Sequence, residues 1–295
     1  MNGIPLNKVL SACDEILVAI TMKNKTLPKL IELLLASVMI CFLIAPAHAA
    51  TPKKLLVVTV TKGFRHSSIP TAEKILADIG KTSGAFTVDY ARNEQEIAEK
   101  MTPDALKQYD GAIFANTTGD LPLPDKQAFI DWIKSGKAFV GMHSASDTFH
   151  GFPPYIEMLG GEFQTHHAQV KVDCRNHDPK HPATRHLGAT FTVFDEIYLQ
   201  KNFHRDQVHV LLALDAHPND KTPGFYPISW CKEFGNGRIF YTSLGHREDM
   251  WDADTPEKIK RENSKEISAA YQKHILGGIQ WALGLEKGDA KPQTK

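Results

Sequence analysis

The sequence predicts an α/β fold with a mostly parallel central sheet and an antiparallel extension. Between residues 54 and 142, short apolar runs alternate with helical segments across short connections. This is the pattern of parallel strands joined by right-handed crossovers. Between residues 170 and 234, strand-like runs follow one another without long helices, which indicates an antiparallel extension. An apolar run at Arg238–Leu244 then predicts a return to the buried sheet.

The elements of the first half follow from periodicity and from residues that begin helices. Lys54–Val60 is a continuous apolar and β-branched run, typical of a strand covered on both faces. Pro70 suits the first turn of a helix over Ile69–Gly80. Further strands are predicted at Phe86–Tyr90, Gly111–Asn116 and Ala138–Met142, and further helices at Thr102–Leu106 and Asp125–Ser135.

The second half adds four strands before the return strand and one long helix after it. The strands are predicted at Val170–Asp173, Thr190–Phe194, Val208–Leu214 and Ile228–Phe234, with a short helix at Ala183–Leu187. Ala269–Leu283 is amphipathic and is expected to pack back on the sheet. Because no linker or internal repeat divides the chain, residues 51–287 are predicted to form one domain, followed by a disordered polar tail over 288–295.

The first fifty residues have the pattern of a secretory signal peptide. A basic segment begins at Met22, the predicted start of translation, and an apolar stretch follows at Leu33–Ile44. Ala47-His48-Ala49 is a small-x-small cleavage pattern, so cleavage is expected near Ala49. The mature protein is therefore predicted to be periplasmic or secreted, without a membrane partner. The alternative interpretation of this segment is a membrane anchor.

Composition narrows the classes of partner. The chain has 34 basic and 34 acidic residues, and this balance argues against nucleic-acid binding, which needs a basic stripe. Of the four cysteines, Cys174 and Cys231 lie outside the leader, and whether they pair stays open. There is no Gly-x-Ser-x-Gly, no Walker loop and no Cys-x-x-Cys motif.

The segment Gly141-Met142-His143-Ser144-Ala145 has the form of a nucleophile elbow. An apolar strand ends in a turn, and the small residues around its centre let the central side chain stand at the sheet's carboxyl edge. Hydrolases place serine at that centre, whereas this chain has His143. We therefore expect His143 to act as a base or as a metal ligand.

Four segments that follow predicted strands are expected to meet at this edge. The candidate catalytic residues are His143, His246 and Glu248, because a carboxylate two residues after His246 can fix the tautomer of its imidazole. The candidate substrate-binding residues are Arg65, His66, Asn116, Ser144, Asp147, Arg247 and Trp251. Each has a structural alternative, such as helix capping, a surface turn or plain solvation.

The histidines expected at this edge could also bind a metal ion. The candidate ligands are His66, His143, His166 and His246, and the expected cofactor is a divalent ion, zinc or manganese. Base catalysis without any metal is the alternative. Glu196 or Tyr198, which follow a predicted strand, can also reach the cleft, although solvation at an edge strand explains them nearly as well.

Several long motifs resemble the trehalose-utilisation (ThuA-like) family of the class I glutamine amidotransferase-like superfamily. They are Gly-Phe-Arg-His-Ser-Ser-Ile (63–69), Gly-Met-His-Ser-Ala-Ser-Asp (141–147), Gly-Gly-Glu-Phe (160–163), Asp-Glu-Ile-Tyr (195–198), Val-His-Val-Leu-Leu (208–212), Pro-Ile-Ser-Trp (227–230), Gly-Arg-Ile-Phe-Tyr-Thr-Ser-Leu-Gly-His (237–246) and Gly-Gly-Ile-Gln-Trp-Ala-Leu-Gly (277–284). The resemblance implies a flavodoxin-like three-layer sandwich. The superfamily's elbow cysteine is replaced by His143, which excludes glutamine amidotransferase chemistry.

The resemblance also implies a small carbohydrate as substrate, in the company of 3-keto sugars. The leading hypothesis is an exported lyase or hydrolase acting on a 3-keto disaccharide or glycoside through histidine base catalysis, with or without metal assistance. The rival hypothesis is a non-catalytic carbohydrate-binding or accessory protein. In either case Phe64, Phe149, Tyr155 and Trp251 are candidates for stacking on sugar rings. A third hypothesis is a residual amide hydrolase that uses Ser144 or Ser146. Whether the protein forms a homo-oligomer is left open by the sequence.

Overall fold

The computed structural model describes residues 51–255 and 259–293, and the predicted leader lies outside them. The strands are β1 (Lys53–Val58), β2 (Phe86–Ala91), β3 (Gly111–Ala115), β4 (Ala138–Met142), β5 (Glu162–His166), β6 (Val170–Asn176), β7 (Thr190–Asp195), β8 (Tyr198–Lys201), β9 (His209–Ala216), β10 (Pro223–Phe234) and β11 (Gly237–Thr242). The helices are α1 (Ile69–Ser83), α2 (Glu94–Lys100), α3 (Pro103–Leu106), α4 (Lys126–Lys134), α5 (Pro153–Leu159), α6 (Glu248–Trp251) and α7 (Lys265–Ala282), with 3₁₀ turns at His143–Asp147 and Arg205–Gln207.

Nine strands form one sheet in the order β2-β1-β3-β4-β11-β10-β9-β6-β7. The first five strands in this order are parallel to one another, and the fifth of them, β11, pairs with β4. The remaining strands pair antiparallel, starting with β10 on β11. The predicted α/β class, with its parallel core and antiparallel extension, is therefore confirmed. Because β1, β3, β4 and β11 run in one direction, the loops that follow them emerge at one edge of the sheet.

Helices cover both faces of the sheet, which gives three layers. Alternate residues of β1 face opposite sides, so Leu55 and Val57 pack with α1 and α7, while Leu56 and Val58 pack with α2 and α4. The predicted helix starts have physical causes here. Pro70 lies in the first turn of α1, and the Asp125 carboxylate accepts a hydrogen bond from the Ala128 amide at the start of α4.

Some local elements differ from the sequence-based expectation. Residues 183–187, predicted as a short helix, form a series of turns. The amides of Thr184 and Leu187 bond to carbonyls three residues earlier, and the Thr184 carbonyl also accepts a hydrogen bond from the Asn176 side-chain amide. Such a side-chain bond competes with the helical hydrogen bonds. Helices α2, α5 and α6 and the small β5–β8 sheet are additional to the prediction.

The polar tail and the cysteines have defined neighbours. Residues 288–293 lie beside β9, where the Lys291 carbonyl accepts a hydrogen bond from His209 Nδ1 at 2.8 Å. The polar composition of the tail does not predict these partners. Cys174 and Cys231 are both buried and free, so the disulfide left open by the sequence is absent from the described residues. Within 51–255 and 259–293, no helix has the length and apolarity needed to span a bilayer.

Candidate metal site

His143 lies at the turn after β4 with its backbone in the left-handed region, at a φ of 48°. Few non-glycine residues adopt such a φ, and they concentrate at functional sites. Packing requires a small residue at position 141, next to this turn, because a Cβ on Gly141 would lie only 2.9 Å from the Tyr241 ring. The His143 ring is completely buried, and its Nδ1 donates a hydrogen bond to the Ser243 carbonyl at 2.8 Å. Its Nε2 therefore carries the free lone pair.

Three further side chains meet the Nε2 atom of His143. His66 comes from the loop after β1, Glu196 from the turn after β7, and His246 from the loop after β11. His143 Nε2 lies 3.1 Å from His66 Nε2, 3.3 Å from His246 Nδ1 and 3.7 Å from Glu196 Oε2. Glu196 Oε2 lies 3.2 Å from His246 Nδ1. We call these four residues the His/Glu cluster.

The spacing of the cluster fits a metal ion. Nitrogen ligands at about 2.0–2.1 Å from a tetrahedral ion lie about 3.3 Å from one another. Three of the measured separations, 3.1, 3.2 and 3.3 Å, are close to that value, and all four donor atoms lie within 4.8 Å of one another. Imidazole and carboxylate are ligands for first-row divalent metals, so this cluster can hold such an ion.

The electrostatics of the cluster keep two of its imidazoles neutral. Burial, followed by the neighbouring His246, lowers the pKa of His66 to about 4. Burial, followed by His66 and His246, lowers the pKa of His143 well below its ordinary value. Burial also lowers the pKa of His246, but the hydrogen bond and the charge of Glu196 outweigh it, so its pKa is raised. Neutral imidazole is the form that binds a metal.

Buried polar groups position the loop that carries His246. The Asp195 carboxylate accepts a hydrogen bond from the Gly245 amide at 2.7 Å, and burial raises the pKa of Asp195 to about 6. The Gly245 carbonyl accepts hydrogen bonds from the Trp251 indole at 2.8 Å and from the Asn116 side-chain amide at 3.1 Å. The amide and the carbonyl of Gly245 are therefore both hydrogen-bonded, which fixes the backbone next to His246.

We predict that Gly245→Ala destabilises the protein and weakens metal binding. Gly245 has a φ of 116°, and a Cβ there would lie 2.7 Å from Tyr271 Oη. The strain and the overpacking together should cost about 3 kcal/mol of unfolding free energy. Gly84→Ala is the matched control, since Gly84 also has a positive φ but no atom within 4 Å of its Cβ position. Urea unfolding of chelator-treated protein measures the unfolding free energy of the two variants. Equal losses of stability in Gly245→Ala and Gly84→Ala would contradict the prediction.

The structure brings three of the four predicted metal ligands together: His66, His143 and His246. His166, the fourth, instead lies 3.1 Å from the other oxygen of Glu196 and is partly exposed at the end of β5. Ser144 is buried, and its Oγ lies 3.4 Å from His66 Nδ1. Asn116 and Trp251 are buried as well, and both bond to the Gly245 carbonyl rather than facing an open cleft.

The other predicted residues have different neighbours. Glu248 begins α6, and among the described residues the carboxylate that bonds to His246 is that of Glu196. Arg247 makes a bidentate pair with Asp249 and donates to Gln169, which leaves it a structural role. Asp147 pairs with His150 at 2.6 Å. Arg65 is exposed and donates one hydrogen bond, to the Thr59 carbonyl.

The aromatic candidates separate into one exposed and three buried side chains. Phe149, Tyr155 and Trp251 are at most 2% exposed, so they belong to the core and do not offer a ring face to a ligand. Phe64 is 67% exposed and contacts His66 edge to face, with the ring centroids 4.9 Å apart. Tyr198, which the sequence did not select as a site residue, is buried against His143 at a centroid distance of 4.4 Å.

Glu196 is the cluster residue that the sequence placed near the cleft but did not select as a metal ligand or catalytic residue. The signal was present, because Asp195-Glu196-Ile197-Tyr198 follows a predicted strand and matches one of the family motifs. However, β7 is the edge strand of the antiparallel part of the sheet, so the rule for parallel strand ends does not select its turn. Only the folded chain shows that the turn after β7 returns to the elbow.

These features define a class: an α/β protein in which three histidines after parallel strands and one glutamate from the turn after β7 form a largely buried donor set. A family model described as ThuA, trehalose utilisation, matches residues 54–282. The chain therefore belongs to the ThuA family, and the resemblance noted in the sequence is confirmed. No curated protein matches the sequence.

Solved structures show the same fold. A ThuA-like protein from Parabacteroides merdae ATCC 43184 is 18% identical, covers 81% of this chain and 92% of its own, and has a TM-score of 0.62. A ThuA-like protein from Bacteroides uniformis ATCC 8492 is 22% identical, covers 81% of this chain and 94% of its own, and has a TM-score of 0.61. At these identities the similarity establishes the flavodoxin-like architecture and carries no statement about activity.

Proposed function

We propose that this protein is an exported, metal-assisted enzyme that cleaves a small carbohydrate, with a 3-keto disaccharide or glycoside as its substrate. The observation that carries the proposal is the His/Glu cluster, whose donor atoms have the spacing of ligands around one ion. The family's description, trehalose utilisation, supports a sugar as the substrate class. The signal pattern before residue 50 supports export.

The residues of the cluster that would hold a divalent ion are His66, His143, His246 and Glu196. A bound divalent ion supplies positive charge that stabilises negative charge developing on a substrate oxygen. His143 and His246 were candidate bases in the sequence, but their facing nitrogens serve as ligands in this arrangement. His143 is also completely buried, so a substrate does not reach it.

His166 is the group of this chain best placed to accept a proton from a substrate. Its Nδ1 faces two acceptors, Glu196 Oε1 at 3.1 Å and the His167 carbonyl at 3.1 Å, so Nδ1 carries the proton. Its Nε2 therefore has a lone pair that can accept one, and the side chain is partly exposed beside the cluster. Arg65, also exposed, can donate hydrogen bonds to substrate oxygens.

The chemistry of a 3-keto glycoside matches these groups. The ketone at C3 makes the proton on C2 acidic, so a base can remove it and leave the negative charge on the ketone oxygen. That charge then expels the substituent at C1, and the departing oxygen takes up a proton. The C2–H and C1–O bonds break, and a C1–C2 double bond forms. No pair of carboxylates of the ordinary glycosidase kind is needed.

The test is to measure the metal content of the purified protein and then turnover of a 3-keto disaccharide. We expect about one divalent ion per chain, loss of product formation after chelation, and recovery on adding zinc or manganese. Ion-free protein that also fails to bind added metal would contradict the metal site. Saturable sugar binding by metal-loaded protein without any product would instead support a carbohydrate-binding or accessory protein.

The amide hydrolase hypothesis has no support from the geometry. Ser144 is buried beside His66, and Ser146 is buried with its Oγ bonded to Tyr241 Oη at 2.8 Å. Both hydroxyls are therefore buried and have side-chain partners in the folded protein.

A further inference from the structure

We propose that Phe64 is the sugar-stacking residue of this site, and that a pyranose ring lies on its open face while Arg65 donates to the sugar's hydroxyl groups. This inference rests on the proposed function and deepens it, because it identifies the surface that selects a ring-form sugar. Phe64 and Arg65 are consecutive residues of the loop after β1 that also carries the cluster residue His66.

The exposure of Phe64 is the first observation. Among the described residues, only two large apolar side chains are exposed: Phe64 at 67% and Leu285 at 42%. Leu285 follows α7 near the chain end, whereas Phe64 contacts His66 directly. Leaving a phenyl ring in water forgoes the free energy of its burial, which makes an exposed aromatic beside a buried donor set informative.

The backbone around Phe64 is the second observation, because it is fixed although the ring is exposed. The Thr118 hydroxyl accepts a hydrogen bond from the Gly63 amide at 3.1 Å and donates one to the Phe64 carbonyl at 3.0 Å. The Thr118 carbonyl also accepts from the Lys62 amide at 2.8 Å. One threonine of the loop after β3 thus holds three successive residues. The backbone position of Phe64 is set before any ligand arrives, which lowers the entropic cost of binding.

The contact of Phe64 with His66 is the third observation. The two rings meet at 80°, so the contact uses an edge and leaves phenyl surface open. Arg65 next to it uses one guanidinium nitrogen on the Thr59 carbonyl at 3.1 Å, which leaves its other N–H groups for a ligand. A ligand that satisfies both neighbours needs an apolar face and hydroxyl groups at its edge. A pyranose has this combination, since its C–H groups line one face and its hydroxyls point outward.

The experiment compares Phe64→Ala, Phe64→Trp and Leu285→Ala with the unchanged protein, all loaded with the same metal. We expect Phe64→Ala to raise the Kd or KM for a 3-keto disaccharide roughly 3- to 10-fold, the size of one aromatic contact, with kcat changed less than about twofold. Phe64→Trp should bind as tightly as the unchanged protein or more tightly, and its new indole fluorescence should shift on sugar binding. Leu285→Ala should have no effect.

Three outcomes would overturn the inference. The first is sugar binding in Phe64→Ala that equals that of the unchanged protein, which leaves the proposed function intact. The second is loss of the metal or a changed oligomeric state in Phe64→Ala, since either would mean that the ring has a structural or an interface role. The third is absence of sugar binding by the unchanged metal-loaded protein, which would overturn the substrate class as well.

Discussion

Replacing His143 with alanine is expected to abolish metal binding and turnover together. His143 Nε2 lies 3.1 to 3.7 Å from the other three donor atoms, so the substitution removes the one ligand atom that is close to all the others. Substitutions of outer-shell partners already weaken metal affinity about 10- to 100-fold. We therefore expect a loss of more than about 100-fold for this variant. Competition of the protein with a fluorescent chelator measures the affinity, and product formation from a 3-keto disaccharide measures turnover.

The control separates the loss of a ligand from the loss of the fold. Alanine at a φ of 48° carries a backbone cost of about 1–2 kcal/mol, so His143→Asn is made in parallel, since asparagine tolerates that conformation. His166→Ala is the matched histidine variant and should retain the metal, because His166 Nδ1 faces Glu196 Oε1, whereas Oε2 is the oxygen directed at His143 and His246. Metal bound as tightly by both His143 variants as by the unchanged protein would sink the assignment.

Glu196→Gln is expected to weaken metal binding by a factor similar to that of His143→Ala, about 100-fold. Glu248→Gln should leave the metal affinity unchanged within about twofold. The Glu196 carboxylate reaches two cluster histidines, with Oε2 at 3.2 Å from His246 and 3.7 Å from His143. Glutamine keeps the shape but removes the negative charge that neutralises the ion. Glu248 influences His246 only through its charge, and the effect of Glu196 on the pKa of His246 is larger.

The pair of glutamate variants tests structure against sequence directly. Sequence spacing favours Glu248 as the partner of His246, and the folded chain favours Glu196. Equal metal affinities for the two variants, or a greater loss with Glu248→Gln, would contradict the geometry described here. Circular dichroism and urea unfolding of chelated samples should show that both variants fold as the unchanged protein does.

The parallel half of the fold was predictable from sequence because its signals are local. A buried parallel strand reads as a continuous apolar run, and β4 has the predicted bounds of Ala138–Met142. Proline at a first helical turn and aspartate before a helix mark α1 and α4 in the same way. The turns at 183–187 were not predictable, because the Asn176 side chain, which lies outside that segment in the sequence, donates a hydrogen bond to the Thr184 carbonyl.

The residues of the candidate site also include some whose place was predictable from the sequence and some whose role was not. His66, His143 and His246 follow parallel strands, so their meeting follows from the rule that such strands end at one edge. Arg247 and Trp251 follow the same strand end, yet Arg247 pairs with Asp249 and Trp251 bonds to a backbone carbonyl. Residue type and position along the chain do not distinguish a side chain that faces a ligand from one that supports the backbone.

The sequence by itself determined the fold class, the family and three of the four cluster residues, because periodicity, turn residues and strand ends are properties of short segments. Only the tertiary structure decided that Glu196 completes the cluster, that His166 lies outside it and that Phe64 keeps its ring exposed. The physical reason is that ligand sets and exposure depend on distances between segments far apart in sequence. Glu196 and His143 lie 53 positions apart in the sequence, yet their ligand atoms are 3.7 Å apart.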